Sequence, residues 1–64
     1  MKVRDLIKLI EGEGWRQVRT RGSHRQYKHR EKKGLVTILG HPRDDVHPDT
    51  LKSVLLQAVL KKNS

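Results

Sequence analysis

WRQVRTRGSHRQYKHREKKGLVTIL, residues 15–39, decides the fold of this chain. Trp15–Arg21 is rich in residues that tolerate an extended backbone, although its apolar–polar alternation is imperfect. Gly22–Ser23 is a turn signal, and His24–His29 reads as a second strand. Arg30–Gly34 is a polar hairpin loop with glycine at its end. Leu35–Leu39 is the most apolar stretch, read as either the central strand or the best buried one.

The flanks are helical. Val3, Leu6, Ile7 and Ile10 recur at i, i+3, i+4 and i+7, one stripe of an α-helix that stops at Gly12 and Gly14. After an irregular Gly40–Asp45, Pro48 suits the first turn of a helix, with Asp49 favourable to its dipole. Leu51, Val54, Leu55 and Ala58 make its apolar stripe, and Lys61 and Lys62 fall at its far end. The expected fold is α+β in the order α-β-β-β-α, one domain over residues 1–64. Both helices lie on one face of a three-stranded antiparallel sheet, which leaves the other face exposed and polar.

Composition narrows the partners. A chain of 64 residues buries only about 60% of its unfolded surface, so its core must be economical. It has no cysteine, hence no disulfide and no thiolate metal site. The histidine spacings match no zinc signature, and neither metal nor cofactor is expected. No apolar run is long enough to span a membrane, and Asp5, Glu11 and Glu13 interrupt what a signal peptide would need. A cytoplasmic location is expected. Lys and Arg number 15 against 7 acids, a formal net charge of +8, and the natural complement of that field is a polyanion such as nucleic acid.

On the second strand, period-two geometry separates Tyr27, with Arg25 and His29, from His24, Gln26 and Lys28. If Tyr27 turns toward the helices, His24 stands on the open face beside an amide and a cation. Arg19, Arg21 and Arg25 add positive charge around it. Histidine is the side chain best suited to proton transfer near neutral pH. A neutral imidazole could deprotonate an RNA 2′-hydroxyl for attack on the adjacent phosphate, with cations stabilising the charge that builds up. By itself, a histidine at the start of a strand is more often a plain surface residue. His29 reads as surface strand, His47 as the residue before Pro48, and His41 as a loop residue able to approach the phosphate face. Trp15 reads as core.

"GEGW", "GSHRQYKH", "KGLVTI", "HP" and "TLKSVLLQA" together cover nearly the whole chain. In this series it resembles the HicA toxin family of type II toxin–antitoxin systems, small mRNA interferases with a fold like the double-stranded-RNA-binding domain. Gly22–Ser23–His24, followed by Tyr27, is the most specific element of the match. The resemblance implies that His24 is catalytic, that mRNA is cut without a metal, and that a HicB-like antitoxin protein covers the site. Ser23, Arg19, Arg21, Arg25, Gln26 and Lys28 are the expected RNA contacts. Asp49, Val59 and Gly40 depart from the family pattern near the second helix, while the His24 motif is kept. A non-catalytic RNA-binding module of the same fold is the alternative reading, and a basic face that docks an acidic protein is a third.

Overall fold

A computed structural model describes residues 1–60, so the expected helix-end cations Lys61 and Lys62 lie outside the described residues. Helix α1 spans Val3–Gly12 and buries Val3, Leu6 and Ile10 of the expected stripe, while Ile7 is only partly buried against the core. Its first amides would be orphaned without partners. The loop after the sheet supplies them: Val3 N donates to the Asp44 carbonyl at 2.8 Å and Arg4 N to the Pro42 carbonyl at 3.1 Å. Asp5 reaches back to accept from Lys2 N at 3.2 Å.

Three strands follow, β1 (Trp15–Arg21), β2 (His24–His29) and β3 (Val36–Ile38), in the order β1-β2-β3 and antiparallel throughout. The central strand is therefore β2. Strand β3 is an edge strand two residues shorter than its apolar run, and its inward pair Val36 and Ile38 is fully buried. Leu35 and Leu39, the ends of that run, are 42% and 52% exposed and belong to no strand.

Helix α2 spans Pro48–Leu55 and continues as a π-helical turn over Leu56–Leu60. His47 caps it, its ring Nδ1 accepting from Asp49 N at 3.1 Å, a use of this residue beyond preceding a proline. Val54 and Ala58 are buried from this side. Trp15 and Tyr27, both buried, sit in the same core cluster as Leu6, Ile10, Val36 and Ile38. Trp15 Nε1 donates to the Ala58 carbonyl at 3.0 Å, and Lys32 Nζ reaches the same oxygen at 2.9 Å. One carbonyl thus ties the last described turn to Trp15 at the start of β1 and to Lys32 in the loop after β2. Among the described residues, the helices and the core occupy one face of the sheet and the other face is open.

Candidate nucleic-acid interface

The turn that sets the interface has only two residues. Arg21 pairs with His24, so Gly22–Ser23 closes the hairpin alone. Gly22 has φ 61°, while no other residue type has positive φ, the pattern of a type II′ turn, which requires glycine first. His24 therefore stands at the mouth of β2, directly opposite Arg21.

A bulge then decides which face carries the arginines. Arg21↔His24, Thr20↔Arg25 and Arg19↔Gln26 are partners, but the next pair is Gln17↔Tyr27, and Val18 is left without one. Strict alternation from buried Trp15 would turn residues 17, 19 and 21 alike toward the helices. The extra residue breaks that parity. Gln17 stays inward, where its Oε1 lies 3.5 Å from the Tyr27 hydroxyl, while Arg19 and Arg21 turn to the open face. The imperfect alternation of this strand is the imprint of the bulge.

Arg19, Arg21, His24 and Gln26 line a cleft of about 210 Å³. A larger depression of about 440 Å³ adjoins it, sharing Arg19 and Gln26 and adding Lys28, Val18 and Leu35. Arg16 is the partner of Lys28 across the strands and extends the same row. None of the seven acids lies on a strand: they occupy α1, the turns and loops, and α2. Among the described residues, the strands thus bring four cations and an exposed imidazole to the open face and no carboxylate. Such an arrangement concentrates phosphate and leaves a proton acceptor beside it. Among the described residues, no group of three or more His, Asp or Glu gathers as a metal site would require.

Of the residues expected here, His24, Arg19, Arg21, Gln26 and Lys28 are brought together. Ser23 is half-buried in the turn beside them. Arg25 is placed elsewhere: its partner is buried Ile38, and its guanidinium donates to the Gly40 carbonyl at 2.8 Å on the helix side. That bond holds the loop after β3 rather than a ligand. His41 lies in that loop, its amide donating to the Asp44 carboxylate at 3.0 Å. Arg16, Val18 and Leu35 were not singled out by their sequence. Counting partners outward from the two-residue turn reaches Gln26 correctly, but the bulge hides every pair beyond it.

His29 is not plain surface strand. Its Nδ1 accepts from Glu31 N at 3.0 Å and Lys32 N at 3.1 Å, which leaves Nε2 to donate to the Glu13 carbonyl at 2.9 Å. Its ring meets Trp15 edge-on, with centroids 5.3 Å apart. Burial pushes the Tyr27 phenol above its usual range; the Glu11 charge adds to the rise and Arg25 opposes it. A separate depression of about 240 Å³ on the helix side runs past Val3, Leu6 and Ile38 to Asp44 and Asp45, an apolar and acidic wall unsuited to phosphate.

A family model described as the HicA toxin of bacterial toxin–antitoxin systems matches residues 3–60, nearly the whole chain. No curated protein matches it.

Proposed function

Because this chain belongs to the HicA toxin family of bacterial toxin–antitoxin systems, we propose that it is a metal-independent endoribonuclease that cleaves mRNA and so stops translation. One observation supports this reading above the others. His24 stands opposite Arg21 at the hairpin mouth, in a cationic cleft shared with Arg19, on strands that carry no carboxylate.

The chemistry follows from that placement. The neutral His24 imidazole accepts the proton of a 2′-hydroxyl, and the freed oxygen attacks the adjacent phosphorus. Arg21 and Arg19 stabilise the extra negative charge of the five-coordinate phosphorus. The P–O5′ bond then breaks, leaving a 2′,3′-cyclic phosphate on one product. The departing 5′-oxygen takes a proton from the imidazolium or from water. DNA lacks the attacking hydroxyl and is not a substrate. A HicB-like antitoxin would neutralise the protein by covering the His24 face, and the cytoplasm is where both would meet mRNA.

The test incubates the protein and His24→Ala with an unstructured RNA and the matching DNA in excess EDTA. RNA cleavage alone is expected, with the variant slower by about 10²–10⁴-fold, the usual contribution of a positioned acid–base group. A variant that cuts at the wild-type rate sinks the assignment. A wild-type protein that shifts RNA without cutting it is the non-catalytic module, and one that does neither is a protein-docking domain.

A further inference from the structure

The larger depression on the open face has a feature that phosphate binding does not use. Val18 and Leu35, 54% and 42% exposed, are the apolar part of its lining, on either side of β2 with Gln26 and Lys28, and Arg19 completes it. Val18 is the bulge residue, without a partner in the ladder, so sheet pairing does not explain its β-branched side chain. Leu35 lies just outside β3, although its carbonyl accepts from Gln57 Nε2 at 3.3 Å and so fixes its position. Two hydrophobic side chains standing among cations suit a ligand that is itself both flat and apolar and strongly anionic. A nucleotide with an unpaired base is such a ligand.

We propose that this depression is a base subsite for a nucleotide close to the scissile phosphate, so that the substrate is single-stranded RNA gripped on one side of the cut. The inference rests on the ribonuclease reading for its scissile phosphate, not for the binding itself. Charge complementarity and continuity with the His24 cleft identify the occupant. Arg19 and Gln26 line both depressions, so a strand entering the cleft continues into the larger one. Lys28 and Arg16 then meet the next phosphates, while the base lies between Val18 and Leu35 and presents its edge to the Gln26 amide.

The grip is one-sided by construction. From His24 to Lys28 the face extends about 13 Å at the rise of a strand. Beyond His24 in the opposite direction, among the described residues, the ladder ends in the Gly22–Ser23 turn. Both aromatic residues, Trp15 and Tyr27, are buried, so the base rests on aliphatic side chains rather than on a ring. An A-form duplex keeps its bases paired inside and has none free to enter the subsite.

The experiment measures fluorescence anisotropy with His24→Ala as the non-cutting background. Its probes are a short single-stranded oligoribonucleotide, the same backbone made abasic, and the blunt duplex of equal length per strand. Leu35→Ala is expected to weaken binding of the single strand about three- to tenfold, from the apolar area it withdraws. It should leave the abasic strand unaffected, and the duplex should bind less tightly than the single strand. Val18→Ser should behave alike, which separates loss of the wall from any disturbance of the Gln57 contact at Leu35. Single-strand affinity unchanged from the His24→Ala background in both variants, or tighter binding of the duplex, overturns the subsite. If the wild type cuts RNA but neither variant alters binding, the subsite fails and the ribonuclease stands. If the variants discriminate but the wild type never cuts, the subsite stands and the ribonuclease reading fails.

Discussion

Two histidines five residues apart on β2 show how one residue type takes opposite roles. An odd spacing sends them to opposite faces. His24 is exposed on the cationic face, whereas His29 joins the Glu13 carbonyl to the amides of Glu31 and Lys32 under the edge of Trp15. Replacing His29 with Ala hands two amides and a carbonyl, largely exposed, to water and removes the edge contact with Trp15, and should cost about 1–2 kcal/mol in urea unfolding. Cleavage per folded molecule should be unchanged; a loss of cleavage without a loss of stability would move His29 into the site. Gly14 is coupled to the same ring. It has φ 100°, and a Cβ there would come 2.8 Å from His29 Nε2. Gly14→Ala should therefore lower stability by about 1–3 kcal/mol through backbone strain and displacement of the ring. Tyr27 gives a pH dependence with a definite sign. Its phenol is raised by burial, so the folded state holds the proton more tightly than the unfolded chain, whose value is the ordinary 10.0. That contribution is present in full below the unfolded value and is lost as pH rises through the higher value of the fold. Ultraviolet titration should show the phenolate appearing above its normal range, and Tyr27→Phe should flatten the alkaline fall in stability. A phenol that titrates normally in the folded protein would show that the ring is not sealed from water.

At the scale of elements, apolar residues at helical spacing were enough to place α1 almost to the residue, because its stripe meets the sheet and its glycines stop it. The turn at Gly22–Ser23 was equally legible, since a two-residue hairpin needs glycine. Strand order was not: LVTIL is the most apolar segment, yet it lies at the edge, with α1 and α2 burying its inner pair. Burial by helices and burial between strands leave the same hydrophobic run in a sequence. The bulge was visible only as imperfect alternation in β1, and nothing local says which residue is the extra one. The functional arginines depend on it, so the His24 motif could be read while the full cationic row, with Arg16 in it, could not. Strand β3 offers a direct measure of the difference. Ile38 is 1% exposed and Leu39 is 52% exposed, neighbours of almost equal hydrophobicity. Ile38→Ala should cost about 2–4 kcal/mol by opening a cavity in the core, and Leu39→Ala well under half of that. Similar losses at both positions in chemical denaturation would mean that the run packs on both faces.

For the molecule as a whole, charge is sorted rather than spread. The net +8 includes helix and loop cations, but the strands carry Arg16, Arg19, Arg21, Arg25 and Lys28 with no acid among them. Arg25 is held to Gly40, which leaves four cations on the open face. Two views of RNA binding then differ in number. If a diffuse positive field were responsible, most of the basic residues would release counterions. If the open face alone is used, the dependence of log affinity on log salt should have a slope of about −3, that is about −0.7 for each of roughly four phosphates on a single strand. Single substitutions sharpen the distinction. Lys28→Gln should make the slope shallower by about 0.7 and weaken binding of different sequences alike, as loss of one phosphate contact does. Lys52→Gln, on α2 away from this face, removes the same charge from the molecule and should leave the slope where it was. A slope near twice the expected one, or equal effects from Lys28 and Lys52, would show that the whole surface attracts RNA and that the sheet face merely holds the histidine.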